Sequence, residues 1–268
     1  MKTTKLLKIA FVLLIFSCKK DEVTTPADTC KVSMIDRGNN NKHAYTYDVA
    51  GKVATMSREF DGSGSGKISK FIYTFTYDNA GLLTKSVSTL NGKDNGSETY
   101  TYTSGKISKV SFKDAAGDAG TNNIKYDEAG RITSYSFETG NPDDTIIQYF
   151  AYDTNGIEIK KGIKGSDGSI YFEVVTKPVG IAKSPEQLLS KYNLPYDVLT
   201  GYSWSANRGD VGTILEVFEP DANGKLVSSG KEKVTAVKLD SKGFIAEMTT
   251  MDDAKVSSTE RFTLTNCN

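Results

Sequence analysis

The chain has 268 residues, with 33 Lys and Arg against 33 Asp and Glu, and a single histidine. There is no basic stripe of the kind nucleic acid requires, and one histidine excludes multi-histidine metal centres. Gly, Ser, Thr, Asn, Asp and Tyr are abundant and leucine is sparse, which is the composition of strands and tight turns rather than of helices.

Residues 1–17 read as an export signal. Lys2, Lys5 and Lys8 form a positive start, and the apolar run from Leu6 to Phe16 is shorter than the roughly 20 residues needed to span a bilayer. No A-x-A-like cleavage site follows. The run ends instead in "IFSC", which resembles the lipobox of bacterial lipoproteins. The resemblance implies cleavage before Cys18 and lipidation of that cysteine, so the membrane would be held through lipid rather than a helix. The alternative is an ordinary secretory signal with an incidental cysteine. The next residues, "KKDE", resemble the surface-export signal of Bacteroidetes-type lipoproteins, which implies the outer membrane, facing the cell exterior. Residues 18–29 then form the lipidated cysteine and a polar tether. Loss of residues 1–17 removes three lysines and no acids, leaving 30 basic against 33 acidic residues.

Residues 30–268 are expected to form a single domain built on a recurring phrase: "YTYDVAGKV" from Tyr45, "FTYDNAGLL" from Phe75, "IKYDEAGRI" from Ile124 and "FAYDTNGIE" from Phe150. Aspartate suits the first position of a type I turn, because its carboxylate can accept a backbone N–H. Glycine three residues on supplies the left-handed conformation of a G1 bulge, and the pair makes a short hairpin loop. Further Asp-x-x-Gly turns begin at Asp221 and Asp240, Ser104 and Gly105 make a contracted version, and Asp114 to Gly117 turns the chain between two hairpins. Large residues precede each turn at period two, as in Phe71, Tyr73, Phe75 and Tyr77, so they share one sheet face. The turn glycines fall 24 to 30 residues apart through Gly156. One hairpin cannot bury its own face. The expected fold is therefore all-β: an antiparallel meander of repeated hairpins forming one curled open sheet or half-barrel.

These hairpins resemble YD-repeat sequences. With Cys30 near the start and Asn266–Cys267 near the end, they more closely resemble uncharacterised secreted Bacteroidetes lipoproteins that carry degenerate YD-like hairpins. The repeated Tyr and Asp residues read as sheet and turn formers rather than catalytic groups. In "DGSGSG", Asp61, Ser63 and Ser65 partly mimic an oxygen-rich calcium loop, but the glutamate that would complete an EF-hand is missing. No metal and no cofactor is expected.

Residues 178–212 interrupt the repeat. In "SPEQLLSKY", Ser184 is a candidate N-cap, Pro185 the first helical residue and Gln187 the other half of a capping box, predicting a short helix over 185–192. Leu188, Leu189 and Tyr192 would form its apolar side, laid as a lid over one end or face of the sheet. The stretch after it holds Tyr196, Tyr202, Trp204 and Arg208, which could contact a sugar ring or a protein partner, or simply plug the core. Cys30 and Cys267 remain once Cys18 is lipidated. An exported protein meets an oxidising compartment, so a Cys30–Cys267 disulfide is predicted, with two free thiols as the alternative. His43 alone offers them little as a metal partner.

No G-x-S-x-G elbow or P-loop is present. Asp143–Asp144 and Asp252–Asp253 are adjacent, so on a strand they would point to opposite faces, not cooperate. The expectation is a non-enzymatic, surface-exposed monomeric lipoprotein whose β-rich module binds an extracellular glycan or protein and no nucleic acid. A purely structural envelope scaffold is the alternative, and a glycoside hydrolase is the third reading.

Overall fold

The structure is a computed structural model, and it describes residues 30–38, 40–61, 64–138, 145–180, 184–185, 188–189 and 210–267. The expected signal, Cys18 and the expected tether lie outside these residues. So do Tyr196, Tyr202, Trp204, Arg208, Ser63, Asp143, Asp144 and most of the predicted helix.

Among the described residues, sixteen strands follow one another in chain order. The first eight are β1 (Lys31–Asp36), β2 (Lys42–Tyr47), β3 (Val53–Phe60), β4 (Ser69–Tyr77), β5 (Leu83–Leu90), β6 (Lys93–Thr103), β7 (Lys106–Asp114) and β8 (Ala119–Tyr126). The second eight are β9 (Ile132–Glu138), β10 (Ile146–Tyr152), β11 (Glu158–Gly165), β12 (Ile170–Lys177), β13 (Ile214–Pro220), β14 (Leu226–Leu239), β15 (Ile245–Asp252) and β16 (Ser257–Thr265). Each pairs antiparallel with its neighbours, as the meander predicts. The sheet does not stay open, however: β16 returns to β1, with Lys31 opposite Thr265 and Ile35 opposite Phe262, and a closed barrel results. Closure pairs the backbone groups that two free edges would leave exposed. The antiparallel meander expected from the sequence is thus present, and its curl goes beyond the half-barrel to full closure. Cys30 and Cys267 flank the seam and are disulfide-bonded, as predicted.

The turns form as their chemistry requires. At the first, Gly51 N–H donates to Asp48 O at 2.9 Å, Asp48 Oδ1 accepts Lys52 N–H at 2.8 Å, and Gly51 has φ 78°. The same bonds recur at Asp78, Asp127 and Asp153. Ser104 and Gly105 both have positive φ, 51° and 77°, as a two-residue type I′ turn demands. Because the meander alternates ends, these turns and the one at Asp240 share one end of the barrel, here the tyrosine end. The turns at Asp114 and Asp221 lie at the opposite end. Asp252 is not paired with Asp253 on a strand face but opens another turn there, accepting Val256 N–H at 2.8 Å, while Asp253 accepts Lys231 N–H at 3.0 Å.

The recurring tyrosines hold hairpin to hairpin. The hydroxyls of Tyr47, Tyr77, Tyr102, Tyr126 and Tyr152 donate to the carbonyls of Val32, Val53, Leu83, Ile107 and Ile132 at 2.7 to 2.9 Å. Each acceptor begins the outgoing strand of the preceding hairpin, or lies in β1 for the first. The residue just before the acceptor covers the same ring: Lys31 over Tyr47, Lys52 over Tyr77, Lys106 over Tyr126 and Arg131 over Tyr152, at 4.7 to 5.2 Å from the centroid. Gly, basic, aliphatic is thus one unit. The glycine turns the chain, the cation covers the next tyrosine, and the aliphatic residue enters the core while lending its carbonyl.

The aromatic face points inward. Tyr45, Phe75, Tyr100 and Phe150 are buried, and Val32, Met56, Val110 and Ile245 fill the interior with them. The outer wall is polar. Lys85 and Lys109 are exposed within β5 and β7 and Lys125 near the end of β8, Thr46 and Thr55 hydroxyls meet at 2.6 Å, and Lys70 pairs with Glu59 at 2.8 Å. A membrane-spanning barrel has the reverse polarity, and a lysine facing lipid at mid-depth costs about 2–4 kcal/mol.

Candidate functional site

The two ends of the barrel differ. At the tyrosine end, the segment from β12 to β13 occupies the place where a Tyr-Asp turn would otherwise fall. Its described residues Ser184, Pro185, Leu188 and Leu189 are all buried. Leu188 N–H donates to Pro185 O at 2.9 Å. Leu188 and Leu189 belong to the main hydrophobic core. Two members of the apolar side predicted for the helix, Leu188 and Leu189, therefore pack into the barrel interior, and Tyr192 lies outside the described residues.

Towards the opposite end lies a cavity of about 450 Å³, bounded by residues of β4 through β11. Its size falls within the range of about 300–1,000 Å³ usual for small-ligand pockets. The walls are aromatic. Phe112 stacks on Phe137 at 5.1 Å between centroids and 15° between planes, and Tyr73 stacks on Phe71 at 6.1 Å. Gly120 makes the first stack possible, since a Cβ there would stand 2.4 Å from the Phe112 ring and 2.5 Å from the Glu138 carbonyl.

Between the rings sit polar groups. Glu98 Oε2 accepts hydrogen bonds from Ser86 Oγ at 3.1 Å and Tyr100 OH at 2.5 Å, and Tyr100 OH lies 2.9 Å from Ser86 Oγ. Asn95 Nδ2 donates to Ser88 Oγ at 3.0 Å. The Asn122 amide donates to Tyr135 OH, which leaves its Oδ1 buried and without a partner. Asn122 is only 4% exposed, so this oxygen is a desolvated acceptor at the wall of a cavity. Asp114 also borders the cavity, but its Oδ1 accepts Asp118 N–H at 2.9 Å within its own turn.

A second polar group lies inside the barrel where β1, β2, β3 and β16 meet. His43 is fully buried, with Arg37 Nη1 3.2 Å from its Nε2. Arg37 pairs with Glu260 at 3.5 Å. Burial, then the nearby Arg37 and Arg58 charges, lower the His43 pKa to about 3, so the ring is neutral. It is held among cations, and no cluster of three or more His, Cys, Asp or Glu able to hold a metal occurs among the described residues. In the loop considered for calcium, Asp61 Oδ2 accepts Gly66 N–H at 2.6 Å and so closes its own turn.

Of the residues singled out in the sequence, Cys30 and Cys267 meet as a disulfide. Cys18, Tyr196, Tyr202, Trp204 and Arg208 fall outside the described residues. The cavity's polar members went unread because the period-two pattern was followed only through large side chains. Stepping back by two from Tyr100 reaches Glu98, and from Ile124 reaches Asn122, on the same inward face.

No family model matches the sequence, and no curated protein is similar to it. The barrel is similar to the crystal structure of a porin-like protein from Bacteroides uniformis, with a TM-score of 0.54 and 12% identity over 87% of this chain and 96% of that one. Overlaps with two TcdB2-TccC3 structures, at 14% and 15% identity, cover 84% and 78% of this chain and 12% of each of those, with TM-scores of 0.30 and 0.27. Those two are too loose to bear on the fold. The first likeness establishes the barrel and nothing finer.

Proposed function

We propose that this chain is a non-enzymatic lipoprotein, tethered through Cys18 to the outer membrane and facing the cell exterior, whose barrel binds a small extracellular ligand such as the end of a glycan. The lipobox-like "IFSC", the following "KKDE" and the YD-like hairpins support the Bacteroidetes-type lipoprotein reading. The outer wall agrees with it: a barrel with lysines in mid-strand stands off the bilayer and needs a separate anchor.

The observation that carries the binding reading is the cavity towards the end opposite the tyrosine latches, where aromatic walls surround hydrogen-bonding groups. Apolar ring faces with a few placed polar atoms are the usual make-up of a small-molecule site. Glu98 is the carboxylate there whose oxygens are not spent on a turn, which favours binding over the paired-carboxylate chemistry of a glycoside hydrolase.

The scaffold reading keeps one observation in its favour. Tyr45 and Phe75, on the aromatic face of the sheet, are buried inside the barrel and so offer no open binding surface. A glycan-array screen separates the two readings. The Cys18→Ser protein would be compared with Cys18→Ser proteins carrying Gln148→Trp, which fills the cavity, or Trp204→Ala. Binding lost with Gln148→Trp and kept with Trp204→Ala places the ligand in the cavity. Binding lost only with Trp204→Ala moves it to the 190–209 segment. No binding by any of the three proteins favours the scaffold.

A further inference from the structure

Resting on that binding reading, we infer that the cavity takes a ligand bearing a protonated amine, with the amine seated on Glu98 and its apolar face on the neighbouring rings. An amino sugar with a free amine is the ligand class that combines the two.

Glu98 sits in mid-strand on the inward face, with Ser86 opposite on β5 and Phe112 opposite on β7. Both cross-strand neighbours are uncharged. Among the described residues Glu98 makes no ion pair, and its hydrogen bonds come only from the Ser86 and Tyr100 hydroxyls to Oε2. Oε1 is left for a ligand. The other interior carboxylates differ: Glu260 pairs with Arg37 and Glu158 with Lys161. In the cavity, by contrast, the inward carboxylate of Glu98 has no cation among the described residues, and it is fixed in place by two hydroxyls.

A neutral ligand filling this space would strip water from the carboxylate and return only dipoles. A cation returns charge for charge, and a close charge–charge hydrogen bond is the stronger kind. The rest of the wall agrees. The Asn122 Oδ1 is a buried acceptor without a partner in the same wall. The outer faces of the Phe112–Phe137 stack supply ring surface, which suits the C–H face of a sugar and also attracts a cation.

Isothermal titration calorimetry on the Cys18→Ser protein decides the matter, with fully deacetylated chitotriose and its N-acetylated counterpart as probes. The two differ in charge at the same ring positions. The expected result is at least about tenfold tighter binding of the deacetylated trimer, in line with measured couplings of close charge pairs. Glu98→Gln keeps an acceptor for Ser86 and Tyr100 and removes only the charge, so the preference should vanish while the acetylated trimer binds as before. Equal affinity for both trimers, or a preference that survives Glu98→Gln, overturns the amine assignment and leaves the glycan reading intact. Absence of binding by the deacetylated trimer overturns it too, and the array screen then shows independently whether a neutral glycan occupies the cavity.

Discussion

Tyr126→Phe tests the latch that joins one hairpin to the next. The substitution removes one oxygen and leaves the ring in place beneath Lys106. What is lost is the hydroxyl's 2.8 Å bond to the Ile107 carbonyl, at a site where burial raises the phenol's pKa. A typical hydrogen bond contributes about 1 kcal/mol net, and an acceptor left unmet in a desolvated place costs about 1–3 kcal/mol. We therefore expect a loss of about 1–2 kcal/mol, read in urea as a lower midpoint with unchanged m-value. Tyr126→Ala, which also removes the ring, should cost about 3–5 kcal/mol. Tyr171→Phe is the control: Tyr171 is 51% exposed, and its change should stay within about 0.5 kcal/mol. Equal stability of Tyr126→Phe and the parent protein would show that the latch contributes nothing net. The repeated tyrosine would then be kept for its ring alone.

Three other outcomes are expected. Cys267→Ser opens a loop with a sequence separation of 237, for which the chain-entropy model gives a loss of about 5 kcal/mol; hydrogen exchange should quicken first in β1 and β16 along the seam. Gly120→Ala pushes the Phe112 ring off Phe137 and should cost about 1–3 kcal/mol as overpacking does, seen as a lower thermal midpoint. His43 makes stability fall on acidification: its pKa drops from 6.5 in the unfolded chain to about 3 in the fold, so the unfolded chain takes up the proton first. The contribution is fully present above pH 6.5, and about 3 kcal/mol of it is lost by about pH 4.5. His43→Gln should remove that slope from a series of urea melts, and a slope that persists would locate the acid sensitivity elsewhere.

The sequence by itself determined the local grammar. Aspartate and glycine at that spacing favour a tight turn, because the carboxylate can accept a nearby backbone N–H and glycine takes the left-handed angle without strain. Period two then put Tyr73, Phe75 and Tyr77 on one face, and the terminal cysteines pointed to a single bond.

Three things waited for the tertiary structure. Closure of the barrel depends on whether β1 and β16 meet after a twist accumulated over all sixteen strands, and no local signal encodes that sum. The phase of the turns was also hidden. Asp221 resembles Asp127 in sequence, but lies at the other end because the 178–212 segment takes one turn's place. Last, the cavity joins Tyr73, Glu98, Phe112 and Asn122 from four different strands. Glu98 and Asn122 read as ordinary polar residues until the barrel closes and their face becomes its inside.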